Sequence, residues 1–119
     1  MSLGRIFVVL IIAFVALFML RRILLFLRGG LSVETMTDLK TKGAIIIDVR
    51  TPGEFANGHS PESRNIPLDE LGSHLDKLDR SKPLVLCCTT GARSGWAQRY
   101  LKQMGFQEVY NAGPWQKTL

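Results

Sequence analysis

The residues of this chain whose types and spacing could do chemistry are Cys88-Thr89-Thr90-Gly91-Ala92-Arg93-Ser94, a cysteine followed five residues later by an arginine. Ahead of them Pro83-Leu84-Val85-Leu86-Cys87 is an apolar run of strand length, and from Ser94 onward the pattern is that of an amphipathic helix closed by Gly105. Cys88 is therefore expected at the end of a strand, just before a helix N-terminus. Unpaired backbone N–H groups and the positive end of the helix dipole favour negative charge there, and Arg93 adds a cation. Each effect lowers the pKa of a thiol. Cys88 is thus a candidate nucleophile, with Thr89, Thr90, Gly91, Ala92, Arg93 and Ser94 as a candidate anion cradle.

A thiolate held in such a loop serves either sulfur transfer through a persulfide or phosphoryl transfer through a phosphocysteine. Cysteine phosphatases use a loop one residue longer, wide enough for the oxygens of a phosphate. Only four residues separate Cys88 from Arg93, and the tighter loop suits a single sulfur atom whose charge converging N–H groups can stabilise. A lone cysteine is more often a small core hydrophobe, and Cys-x4-Arg-Ser by itself is a weak signal. Its place between an apolar strand and a helix, with Gly91 available for a tight turn, gives it weight. Cys87 alternates to the other face of the strand and is expected in the core; its rival role is that of a resolving thiol in a redox protein. Two adjacent cysteines and the distant His59 and His74 lack metal-ligand spacing, so no metal is expected.

The elements that must position this loop follow from local signals. Ser32 can cap a helix running to about Lys42, with Gly43 as its stop. Residues 44–49 read as a buried strand, and Thr51-Pro52-Gly53-Glu54 opens a short helix ended by Gly58. Leu68, Leu71, Leu75 and Leu78 recur at helical spacing before the 83–87 strand, the following helix starts at Ser94, and residues 107–110 form a last short strand. Helices alternating with apolar strands predict an α/β fold, a mainly parallel sheet covered on both faces, with ligands at the carboxyl ends of the strands. Asp48 lies at such an end and, with Arg50, is a candidate supporting residue at the mouth of the site.

In order along the chain, residues 45–50 followed by Pro52, Glu54-Phe55 and Gly58-His59, then Asn65-Ile66-Pro67-Leu68, the Cys88 loop, Gly105-Phe106, Val109-Tyr110-Asn111 and Gly113, resemble the motifs of a single-domain rhodanese. The small phage-shock-type members are the most similar, through Ser94-Gly95-x-Ala97 and Asn111-Ala112-Gly113. The resemblance covers residues 31–119. Where the family carries an apolar residue and then a Gly-Ala pair after the histidine, this chain has Ser60, Glu62 and Ser63, and Pro114 replaces a second glycine. The resemblance implies a sulfurtransferase in which Cys88 takes a sulfane sulfur from thiosulfate or a similar donor and passes it to cyanide, a thiol or a sulfur-carrying protein. It implies no cofactor. Thr89 and Thr90 are neutral where some thiosulfate-preferring members carry cations, so charge-driven affinity for thiosulfate is expected to be modest. Two other functions compete: a non-catalytic rhodanese module docking a partner at the membrane, and a thiol redox protein using Cys87 and Cys88.

The 119 residues allow one small domain beside a special N-terminal segment. Residues 6–20 carry no charge, and after Arg21-Arg22 the apolar run resumes to residue 27. The uninterrupted part would be roughly 22 Å long as a helix, against a hydrocarbon core of about 30 Å. Snorkelling arginines can extend it, and residues 6–27 are expected to contact membrane lipid as a single-pass span. A cleaved signal peptide is the alternative, although Ala13 and Ala16 are spaced wrongly for a cleavage site. A buried core helix would need a polar face, which residues 6–20 lack. Residues 1–28 are thus the expected anchor, 29–30 the linker and 31–119 the rhodanese-like domain. Arg21, Arg22 and Arg28 outweigh Arg5 and the amino terminus, which predicts a cytoplasmic catalytic domain. The formal charge of +5 does not point to nucleic acid, because four arginines flank the apolar segment and the rest of the chain is nearly neutral.

Overall fold

The computed structural model describes residues 2–28 and 31–119, with the side chains of residues 25–28 left out, so the expected linker at 29–30 lies outside the described residues. A long helix, α1 (Leu3–Arg28), comes first. Every described side chain along it is exposed, and residues Leu3–Leu24 are long and apolar enough to cross a membrane. The α/β unit then runs α2 (Val33–Thr41), β1 (Ile45–Asp48), α3 (Pro52–Ala56), β2 (Ser63–Asn65), a 3-10 segment (Leu68–Lys77), β3 (Leu84–Cys88), α4 (Ala92–Gln103), β4 (Val109–Pro114) and a closing 3-10 turn (Trp115–Thr118).

The four strands form one sheet in the order β2-β1-β3-β4, and every neighbouring pair is parallel. Parallel strands end on the same edge, which brings Asp48 opposite both Asn65 and Cys87, and Cys88 opposite Pro114. The pleat sends alternate side chains to opposite faces. Ile47, Leu84, Leu86 and Cys88 pack on one face with Leu71, Ala97 and Leu101, from the 3-10 segment and α4. Ile46, Val85 and Cys87 pack on the other with Met36 and Leu39 of α2 and Ala112 of β4. Both faces being covered explains why β1 and β3 are continuous apolar runs.

Local chemistry sets the helix starts as the sequence suggests. Ser32 caps α2 through Thr35 N, and Thr51 caps α3 in a capping box with Glu54. Four boundaries differ from the expectation. The Leu68, Leu71, Leu75 and Leu78 segment is a run of 3-10 turns rather than an α-helix; Ser73 Oγ and His74 Nδ1 both take the Glu70 carbonyl, at 2.8 Å each, and Gly72 breaks helical propensity at its centre. Helix α4 begins at Ala92, not Ser94, because Gly91 at φ +99° turns the chain directly into it. The last strand is Val109–Pro114, not residues 107–110, since it extends to pair with Cys87 and Cys88. Strand β2 is additional to the expected strands: its three polar residues carry no strand pattern and gain their conformation by pairing with β1.

The loop that departs from the family pattern carries a local fault. Ser60 is 1% exposed and its hydroxyl makes no hydrogen bond to any described residue. Burying an unpartnered hydroxyl costs on the order of 1–3 kcal/mol. Ser60→Ala is accordingly expected to stabilise the fold by about 1 kcal/mol, which a thermal melt would show as a rise of about 4 °C. An unchanged or lower melting temperature would mean that the hydroxyl is satisfied.

Candidate active site

Strand β3 delivers Cys88 to the sheet edge, and the chain turns through Thr89, Thr90 and Gly91 into α4. Gly91 is required there twice over. Its φ of +99° disfavours any side chain, and a Cβ would lie 3.1 Å from the Gly113 Cα of β4. The tight turn aims the start of α4 at the sulfur: the Gly91 N–H donates to Cys88 Sγ at 3.0 Å, and Ser94 Oγ lies 3.2 Å from it. Burial pushes the Cys88 thiol up, but the Ser94 hydroxyl and the N–H groups of Ser94, Gly91 and Thr90 pull it down further, and the net shift is below the ordinary thiol value. Backbone N–H groups thus converge on the sulfur at the start of α4.

The charge of Arg93 is arranged differently from the expectation. Its guanidinium forms two hydrogen bonds with the Glu54 carboxylate on α3, at 2.7 and 2.9 Å, and a third with Thr89 Oγ1 at 3.2 Å. Ala92, Arg93 and Ser94 belong to the first turn of α4 rather than to a loop. Thr90 is exposed, its Oγ1 3.5 Å from the Ala92 N–H.

Asp48 and Arg50 form a buried knot beside β3. Arg50 Nε and Nη2 donate to the Asp48 carboxylate at 2.7–3.0 Å, and Nη2 also donates to the Gly58 carbonyl at 2.7 Å. The guanidinium lies 5.1 Å over the Trp115 ring. The Asp48 hydrogen bond holds the Arg50 pKa above its usual value, so the guanidinium remains charged. It lies on the Cys87 face, where burial and then the Asp48 charge push the Cys87 thiol up to about 12. His59 is stacked on Phe55 with its Nδ1 2.7 Å from the Phe55 carbonyl, and His74 is tied to Glu70. Among the described residues no group of three or more His, Cys, Asp or Glu side chains is placed to hold a metal.

Two further residues, Asn111 and Glu54, join the site. Asn111 of β4 donates from Nδ2 to the Gly91 carbonyl at 3.1 Å, and its Oδ1 accepts from the Gly113 N–H at 2.9 Å and from Ser94 Oγ at 2.7 Å. A carbonyl on one side and an N–H on the other fix which end of the amide is which. The Ser94 hydroxyl has one proton; while it is given to Asn111, the neutral thiol must donate to Ser94, and once the thiol ionises that proton can turn to the sulfur. Glu54 is the second, and a threonine three residues ahead of a glutamate was its local signal. Beside Arg93, a cavity of about 320 Å³ is lined by Val49, Thr51, Pro67, Leu68, Asp69 and Trp96.

The family model for the rhodanese-like domain matches residues 32–113. The chain is 43% identical over 68 residues to the protein YqhL of Bacillus subtilis, a stretch covering 57% of this chain and 54% of that one. It is 38% identical over 73 residues to the thiosulfate sulfurtransferase GlpE of Stutzerimonas stutzeri, covering 61% and 67% of the two chains. A rhodanese-related protein from Thermoplasma volcanium superposes with a TM-score of 0.64 at 27% identity, over 76% of this chain and 89% of that one. The family match runs through the stretch that builds the Cys88 turn, and with these relatives it shows that the chain belongs to the rhodanese-like domain family, as a thiosulfate-sulfurtransferase-like enzyme.

Proposed function

We propose that the chain transfers sulfane sulfur through a persulfide on Cys88. The observation that carries this reading is the Cys88 sulfur held by the Gly91 N–H at 3.0 Å and the Ser94 hydroxyl at 3.2 Å, at the start of α4. In the first half-reaction the thiolate attacks the outer sulfur of thiosulfate or a similar donor. The donor S–S bond breaks, sulfite leaves with the bonding pair, and Cys88 carries a persulfide anion. In the second, cyanide or an acceptor thiolate attacks the terminal sulfur; the new S–S bond breaks and returns the Cys88 thiolate. The donors that stabilise the thiolate are placed to stabilise the persulfide charge as well. A small-molecule donor and acceptor, or a sulfur-carrying protein as acceptor, fits this chemistry, and none of these steps calls for a cofactor or metal.

Residues 1–28 would anchor this domain to a membrane as a single span, and the excess of arginines after the apolar run supports a cytoplasmic active site. A cleaved signal sequence is the other reading of the same helix. Intact mass of the full chain in detergent micelles tests both parts. Before and after thiosulfate, a gain of about one sulfur atom (roughly 32 Da) that cyanide removes is expected. The mass of chain recovered from membranes should include residues 1–28, and a shortened chain would favour the signal sequence.

A further inference from the structure

Glu54 occupies the rim of the turn that holds Cys88. Its carboxylate accepts from the Thr51 N–H at 3.3 Å and the Thr51 hydroxyl at 3.1 Å, which fixes it at the start of α3. From there it receives Arg93 through both nitrogens, at 2.7 and 2.9 Å, and Thr89 Oγ1 at 3.1 Å. Thr89 follows the nucleophile directly. The pairing with Arg93, helped by Thr51 and Thr89, holds the Glu54 carboxyl well below the usual carboxylate range, so it is ionised throughout the working pH range. The formal charges of the pair sum to zero. Among the described residues the neighbouring cavity adds no cation besides Arg93: its walls are Val49, Thr51, Pro67, Leu68 and Trp96, with Asp69 as a second carboxylate.

We propose that Glu54 is a specificity-determining residue: by pairing with Arg93 beside the Cys88 turn it cancels the charge that would draw in a dianionic sulfur donor, and so shifts preference toward donors of lower charge. The inference rests on the sulfurtransferase reading. A cradle without Glu54 would present an uncompensated guanidinium at Thr89, the residue next to the nucleophile, to which Arg93 Nη2 donates at 3.2 Å. With Glu54 in place, the attraction for donor oxygens comes from backbone N–H groups, whose partial charges separate one negative charge from two by less than a full guanidinium charge would.

Two donors that transfer the same kind of sulfur separate this from a structural role. Thiosulfate is a dianion and loses sulfite, whereas methanethiosulfonate is a monoanion and loses methanesulfinate; both leave one sulfur on Cys88 as the persulfide. Glu54→Gln removes the charge and keeps one acceptor oxygen, enough for Thr51 and Arg93 Nη1, while its NH2 end cannot accept from Arg93 Nη2 and Thr89. With the full chain in micelles and cyanide as acceptor, the ratio of kcat/KM for thiosulfate to that for methanethiosulfonate should rise about three- to tenfold, the scale of one unit charge acting over about 6 Å in a partly aqueous site. The rise should vanish in Glu54→Gln/Arg93→Gln. A loosened turn would slow both donors alike, so an unchanged ratio would overturn the inference. Should the variants fail to fold, the unsubstituted chain gives a second readout: a neutral rim predicts that kcat/KM for thiosulfate changes little with ionic strength, and a steep fall with salt would overturn it. Sulfur uptake from neither donor would overturn the sulfurtransferase reading and this inference together, whereas uptake from both with an unmoved ratio would overturn this inference alone.

Discussion

Cys88→Ala is expected to reduce sulfur transfer at least about a thousandfold, to the level that binding without a covalent nucleophile can sustain, while Cys87→Ala keeps turnover within about twofold. The two thiols are neighbours in sequence yet live in different surroundings. Cys88 has an N–H and a hydroxyl aimed at its sulfur. Cys87 is buried among Met36, Leu39, Ile46 and Val85, with its thiol pushed up to about 12, so almost none is thiolate at neutral pH. Removing its sulfur leaves a small void, costing stability of about 1 kcal/mol. Thiocyanate production with cyanide measures the first effect and a thermal melt the second. Equal loss of turnover in both variants would make the two sulfurs partners in a redox cycle and end the persulfide assignment.

The second large effect is expected at Ser94 and Asn111, and it appears in the pH profile. In the proposed mechanism attack on the donor requires the thiolate, so the rate is expected to rise with pH through the Cys88 pKa and then level. The Ser94 hydroxyl is the largest influence drawing that pKa down. Ser94→Ala removes a hydrogen bond to a charged group, and the midpoint of the profile should move up by about one unit, with about tenfold less activity at pH values below both midpoints. Above both midpoints the loss should shrink, because the thiolate forms regardless. Asn111→Ala leaves the Gly91 carbonyl and the Gly113 N–H without their side-chain partner, so it should lower activity at every pH and cost about 1–3 kcal/mol of stability. A Ser94→Ala profile displaced downward or unmoved would show that the hydroxyl serves Asn111 alone.

What could be read from the sequence was what local chemistry decides. Ser32 and Thr51 cap helices because their own hydroxyls do so. Residues 44–49 and 83–87 announced buried strands because both faces of them are covered, and the Cys88 turn was legible because strand, glycine and helix follow one another without a gap. The parts that escaped depend on residues far apart in the chain. Glu54 meets Arg93 across 39 positions and Asn111 meets Ser94 across 17; no local pattern encodes either meeting. Ser63–Asn65 becomes a strand only because β1 presents free hydrogen-bonding groups beside it. The 68–78 leucine spacing suits α and 3-10 geometry nearly equally, and the choice fell to Ser73 and His74 taking a backbone carbonyl.

Strand β4 holds one residue more than its partner needs. Leu86 is opposite Asn111 and Cys87 is opposite Gly113, so Ala112 is absorbed between them as a bulge. That half-step lets an amide from one position and a bare backbone from two positions later close on Gly91 together. Most of the surface of a small protein forgives an added or lost residue, since loops take up the slack. Here the count itself is part of the catalyst: a deletion at Ala112 would keep every functional side chain in the sequence and yet bring the wrong one round to meet the turn.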